Sequence, residues 1–197
     1  MNLNNTKLFY VLSCIILGFV ILSPTLFAVI PFPEGEKFSE LWILGPNRII
    51  ESESFDILEN QLYSIYLGVT NNMGAVEFYK VYVKLANLSD PLPNRAAGLA
   101  SPLQPIFEYN LFLEDNEKSE KEIVFSLEDI SFEDNICQIT KLSVDDHEVP
   151  VDKMIAWDEL NPGFHCQLIF ELWIYDKTTS DFRFQNRSVW IWLNIIR

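Results

Sequence analysis

Basic side chains are scarce in this sequence: 14 lysines and arginines stand against 28 aspartates and glutamates in 197 residues, a formal net charge of −14. Lys7 is the sole side-chain charge before Glu34, so the chain from Glu34 onward carries −15. Such a surface repels phosphate backbones, and no nucleic-acid partner is expected. It suits solubility, association with cations, or a basic partner. Histidine is nearly absent, with only His147 and His165, and the three cysteines show no C-x-x-C spacing. No G-x-S-x-G, H-E-x-x-H or glycine-rich phosphate loop occurs, so no catalytic residue and no cofactor is assigned and an enzyme is not expected. Repeats and low-complexity tracts are missing too, and no long amphipathic helical pattern occurs after residue 31.

What is present is apolar and aromatic. Hydrophobic residues make up 49% and aromatics 14%, enough to build a packed core rather than a disordered chain. Residues 8–30 (LFYVLSCIILGFVILSPTLFAVI) form a run of 23 without a charge, long enough for a helix across the ~30 Å hydrocarbon core of a bilayer. Signal-peptide cleavage is poorly served here. A cut after Ala28 places Leu26 where a small residue is needed, and a cut after Ser23 is followed directly by Pro24. The run reads as a retained signal anchor that contacts the lipid bilayer. Lys7 precedes it and an acidic flank follows, which sets the amino terminus in the cytoplasm and the remainder outside. The expected organisation is a cytoplasmic tail at 1–7, a single membrane span at 8–30, a linker at 31–37 and an extracytoplasmic domain at 38–197.

From Phe38 onward the apolar pattern has period two. Phe164, Cys166, Leu168, Phe170, Leu172 and Ile174 share one face, as do Val189, Ile191, Leu193 and Ile195 near the end. Shorter stripes run through 63–69 and 79–85, and further strands are expected at 40–44, 106–113, 122–127 and 136–144. A turn or two of helix is the one helical candidate, within 151–160. About eight short alternating strands predict an all-β domain, an immunoglobulin-like β-sandwich of 7–9 strands preceded by one transmembrane helix. Residues 86–105 form a long connection with four prolines, either a crossover packed back on the domain or a binding loop.

A hairpin turn at 176–181 would set Trp173 and Tyr175 on the same outward face as Trp190 and Trp192. These four aromatics form a candidate interaction surface, unless the 86–105 loop covers them in a small second core. Cys137 and Cys166 both lie on expected strands and form either a disulfide or two buried thiols. Asn87-Leu88-Ser89 and Asn186-Arg187-Ser188 match the N-glycosylation acceptor pattern. Asn87 is expected to be accessible and Asn186 to be held in a strand. Asp145-Asp146-His147-Glu148 gathers three carboxylates and an imidazole, but no second ligand group with metal-site spacing follows, and it reads as a solvated corner.

Residues 37–47, KFSELWILGPN, resemble the F-S/T-E-F/L-Y/W-I-L-G-P opening of archaeal membrane proteins classed as domain of unknown function 1616. Gly68-Val69-Thr70-Asn71 and Val81-Tyr82-Val83 are similar to that family's G-I/V-x-N turn and its next strand. Residues 187–194, RSVWIWLN, are similar to its R-S-x-x-L-W-V-N ending. The resemblance implies a membrane-attached extracytoplasmic domain and no activity. The reading reached is a non-enzymatic, membrane-anchored binding or scaffold module whose partner is another envelope or membrane protein. A second reading is an accessory subunit of a secretion or glycosylation complex, with residues 8–30 packing on partner helices through Cys14 and Gly18. A hydrolase on a sandwich scaffold is the third, and it needs His147 or His165 in a pocket with a carboxylate.

Overall fold

The structure, a computed structural model, describes residues 3–29, 36–49 and 55–197. It divides into two compact units, Met1–Lys37 and Phe38–Arg197. Residues 1–2 of the expected tail, Ile30 of the expected span and residues 31–35 of the expected linker lie outside the described residues.

In the first unit one helix, α1, runs Leu3–Val29. Its apolar residues occupy every side rather than a stripe, so no single face is marked for burial. The large apolar side chains described between Leu8 and Leu22 are all exposed. Among the described residues no helix is long and apolar enough to cross a membrane.

The second unit is built from ten strands: β1 (Phe38–Leu44), β2 (Phe55–Ile57), β3 (Tyr63–Asn72), β4 (Glu77–Asn87), β5 (Phe107–Leu113), β6 (Lys118–Glu133), β7 (Ile136–Val144), β8 (His147–Asp158), β9 (Gly163–Asp176) and β10 (Asp181–Ile195). The all-β expectation holds. The helical turns expected within 151–160 are instead the second half of β8, because residues 153–156 pair with β7 and Trp157 and Asp158 pair with β9. Two separate layers were expected, but the strands follow one path, β1-β3-β6-β7-β8-β9-β10-β2, with β4 on the other side of β9 and β5 beyond it. β8 makes the link: it pairs with β7 along its length and with β9 only at Trp157 and Asp158.

The inward residues of both halves join in one core. Ile65, Leu67 and Val69 of β3 and Ile123, Phe125 and Leu127 of β6 come from one half; Val81, Val83, Leu168, Phe170, Leu172 and Leu193 come from the other. Removing this apolar surface from water is the main stabilising term. In β7 the alternation changes phase: Cys137 and Ile139 are buried, and so are Leu142 and Val144. The register against β8 shifts between Ile139 and Lys141, next to Pro150, which has no amide hydrogen to donate. This bulge turns Cys137 into the core while Lys141 points outward.

Two of the sequence motifs have plain structural reasons. Trp42 of β1 stands directly opposite Gly68 of β3, and a Cβ on Gly68 would lie 1.9 Å from Trp42 Cε2. The glycine is therefore the floor on which the indole lies, a cross-strand pairing that covers a weak point in a sheet. Asn71 is fully buried at the end of the same strand. Its Nδ2 donates to the carbonyls of Ala75 (2.7 Å), Leu113 (2.9 Å) and Glu114 (3.0 Å). Its Oδ1 accepts from the Met73 amide and the Tyr79 hydroxyl, both at 3.0 Å. One side chain thus ties the β3–β4 turn to the β5–β6 turn.

Candidate interaction surface

The outward face of β5, β4, β9 and β10 follows from register. Lys80, Tyr82 and Lys84 of β4 stand opposite Trp173, Glu171 and Ile169 of β9. On the other side of β9, Tyr175 faces Phe182, Trp173 faces Phe184, Ile169 faces Trp190 and Gln167 faces Trp192. Trp173, Tyr175, Trp190 and Trp192 therefore share one face. They do not form one continuous ladder, because the row between them is polar and covered.

That row contains a buried ion pair. Lys84 is 2% exposed and Glu171 0%, with Lys84 Nζ 2.8 Å from Glu171 Oε2. The 86–105 connection supplies the remaining partners. Lys84 Nζ donates to the Ser101 carbonyl at 2.7 Å, and the Ser101 amide donates to Glu171 Oε1 at 2.7 Å. Trp173 Nε1 adds a longer bond to Glu171 Oε2, at 3.3 Å. Two charges withdrawn from water are tolerated because both ions are so fully bonded. The connection is thus a packed crossover pinned at Ser101, and it covers the Lys84–Glu171 row while leaving its own Leu88, Leu92 and Leu99 exposed.

On either side of this row the aromatics part company. Trp190 is 40% exposed, with the Arg95 guanidinium of the crossover 5.7 Å from its ring. Trp192 is half-buried. Trp173 and Tyr175 belong to a larger cluster. Phe78 stacks on Phe112 at 4.2 Å between centroids with the planes 2° apart. Phe182 meets both Phe78 and Tyr175 edge-on, while Trp173 contacts Tyr82 and Phe184. Lys80 lies over Phe182 at 4.9 Å and pairs with Glu108 at 3.0 Å. Phe112, at the rim, is 70% exposed. Such rings bring large apolar area with little rotamer entropy, which suits a contact surface. Phe78, Tyr82, Phe112, Phe182 and Phe184 were not singled out from sequence. The alternation of Phe78, Lys80 and Tyr82 was a local signal, but the meeting with β5 and β10 depends on long-range register.

The other expected sites fall elsewhere. Cys137 and Cys166 are free thiols, both fully buried, so the disulfide alternative is not what the structure holds. Burial pushes the Cys137 thiol up to about 11, and it raises Cys166 further, with the neighbouring Cys137 adding to the effect. Neither is a reactive thiolate. The order expected of the two sequons is reversed in exposure. Asn87 is half-buried, its Nδ2 donates to the Met154 carbonyl at 3.0 Å, and its Oδ1 accepts from Ser89 and Asp90. Asn186 is exposed at a bulge of β10 with φ 56°, although Ser188 of its sequon is buried.

The acidic corner at Asp145 and Asp146 is a two-residue hairpin turn with φ of 48° and 63°, the left-handed pair that a tight hairpin demands. Among the described residues no group of three or more His, Cys, Asp and Glu is placed to hold a metal ion. His147 Nδ1 lies 2.8 Å from the Asp145 carbonyl, and His165 Nε2 lies 2.8 Å from the Asn161 carbonyl. Burial works against the charge of Asp145, but Lys121, the Val124 amide and the Tyr109 hydroxyl outweigh it and hold its carboxyl below the usual range. The stabilisation is therefore fully present above the unfolded-state value of about 3.9 and is lost as pH falls through the folded value. Asp145→Asn is expected to flatten the acid limb of a stability–pH curve below about pH 4. Thermal melts of both proteins across that range check this, and parallel acid limbs would count against it.

No known protein family matches the chain, and no curated protein does. Among solved structures, it is similar to the β-glucosidase from Listeria innocua in complex with gluconolactone at 10% identity and a TM-score of 0.32, over 84% of this chain and 18% of that one. A mutant of that enzyme in complex with laminaribiose gives the same identity and score, over 84% and 17%. The CooA pilin subunit from enterotoxigenic Escherichia coli is similar at 9% identity and a TM-score of 0.24, over 80% of this chain and 99% of that one. The chain thus spans under a fifth of the length of the two glucosidase chains.

Proposed function

We propose that this chain is a non-enzymatic, membrane-anchored binding module whose extracytoplasmic domain contacts another envelope or membrane protein. The observation that carries the reading is the aromatic cluster around Phe78, Phe112, Trp173, Tyr175 and Phe182, outside the core and ending in a ring that is 70% exposed. Contact surfaces are enriched in aromatic residues, and a few buried rings carry most of their binding energy. The anchor rests on the 23 uncharged residues at 8–30 and on the exposed apolar side chains described in α1. We read the two halves of the curled sheet as the layers of an immunoglobulin-like sandwich. The resemblance of residues 37–47 and 187–194 to the archaeal family points the same way.

Affinity purification from native membranes tests this, using the full chain, a form lacking residues 1–31, and Phe112→Asp. Partners are expected to be retained without residues 1–31 and to fall about tenfold in Phe112→Asp, the loss set by placing a charge in an aromatic contact. Partners lost with residues 1–31 and unaffected by Phe112→Asp would favour the accessory-subunit reading, with the helix as the contact.

A further inference from the structure

At the corner where β8 passes from β7 to β9, the strand can bury neither of its faces completely. Pairing sets Ile136 opposite Ala156 and Gln138 opposite Met154, so Ile136, Met154 and Ala156 share the outer face. Met154 is 61% exposed and Ile136 45%. Leu88 of the crossover, Trp157, Asp158 and Glu159 line with them a cleft of about 390 Å³. Trp157 also borders a second cleft of about 500 Å³, with Asp134 and Arg197 on its wall. Trp157 itself is 41% exposed and packs edge-on against Phe164 at 5.1 Å. Leu160, in the turn that follows, is 92% exposed.

The charge around this apolar floor has one sign. Asp158 and Glu159 are the charged residues that line the first cleft, and no lysine or arginine does. Asp158 is held below the usual carboxylate range by backbone bonds from the Asn161 and Leu160 amides, so it stays ionised at neutral pH. Lys153, the nearest base in sequence, is already committed to Asp90 at 2.8 Å. A cleft of a few hundred Å³ is large enough to seat apolar side chains and has a hydrophobic lining with few polar groups, as binding sites do. Its two carboxylates, on a domain of charge −14, favour cations and disfavour anionic partners.

We propose that this cleft is a second docking site, distinct from the aromatic face, and that it takes a short protein segment carrying both apolar and cationic side chains. The apolar side chains of the segment lie on Ile136, Met154 and Leu88, and a lysine or arginine reaches Glu159. The proposal does not depend on the aromatic face being an interface. The test uses the full chain in non-ionic detergent and three fluorescent hexapeptides of alternating sequence: Leu/Lys, Leu/Glu and Ser/Lys. Fluorescence anisotropy is expected to show saturable binding of Leu/Lys alone. Met154→Asp and Glu159→Lys should each weaken it about tenfold or more, while Leu62→Ser, at an exposed position elsewhere, should leave it unchanged. Met154 and Glu159 are exposed, so both variants should keep the parent melting temperature. No saturable binding overturns the proposal, as does Ser/Lys binding as tightly as Leu/Lys, which would mean charge attraction alone. Affinity that survives Met154→Asp, or that falls in Leu62→Ser, overturns it as well.

Discussion

Replacing Lys84 with methionine will lower the folding stability by about 3–5 kcal/mol, the usual cost of leaving a buried charge without its partner. Glu171 is fully buried, and without the ammonium it keeps only the Ser101 amide and the Trp173 indole as donors. The crossover will loosen at the same time, because Lys84 also holds the Ser101 carbonyl. Urea unfolding followed by tryptophan fluorescence measures the first effect, and limited proteolysis within residues 86–105 measures the second. The double variant Lys84→Met/Glu171→Leu should recover most of the loss, since apolar residues of similar volume often replace a buried pair at little cost. A single-variant loss below about 1 kcal/mol, the level of a surface pair, would mean that the pair is not buried as described.

Asn71→Ala will cost about 3 kcal/mol or more. The side chain is fully buried and serves four groups at two turns and the Tyr79 hydroxyl of β4. Each buried donor or acceptor left unpaired costs about 1–3 kcal/mol. Tyr79 keeps Ser39 as a partner at 2.9 Å, so the loss falls mainly on the Leu113 carbonyl and the Met73 amide. Asn71→Asp should also be severe, because a carboxylate has no hydrogen to give the Ala75, Leu113 and Glu114 carbonyls. Equilibrium unfolding of both variants, with hydrogen exchange at Met73 and Glu117, decides this. Fast exchange confined to the two turns is the expected signature.

Much of the fold was legible because a half-buried strand writes its burial with period two. The stripes at Phe164–Ile174 and Val189–Ile195 predicted β9 and β10, and 136–144 matches β7 residue for residue. β2 is three residues long, too short to show any period. β8 was misread because it sits at the corner: Val149, Val151, Lys153 and Ile155 alternate, but the bulge at Pro150 and the exposed Met154 and Trp157 blur the pattern. The same bulge hid the direction of Cys137, whose strand neighbour Lys141 points the opposite way. Gly68 and Asn71 stood out as a motif, yet their reasons are partners on other segments: the Trp42 ring for one and the carbonyls of the β5–β6 turn for the other.

By itself the sequence determined the composition of the surface, the uncharged run at 8–30 and the all-β nature of residues 38–197, since each is a local property of side-chain charge and alternation. It also placed Trp173, Tyr175, Trp190 and Trp192 on one face, by strand alternation across a hairpin at 176–181; the bulge between Phe184 and Arg187 moves the pairing by two residues and so keeps that face. Tertiary structure alone decided what lies on that face. A lysine on β4 and a glutamate on β9, 87 positions apart, meet under the backbone of Ser101 and divide the aromatics into two groups. Phe78 and Phe112 join Trp173 and Tyr175 only because β4 and β5 continue the same sheet. The open cleft at Trp157 likewise exists only because the sheet turns its corner there. Such pairings depend on strand order and register between distant segments, and no short-range pattern in the sequence carries that information.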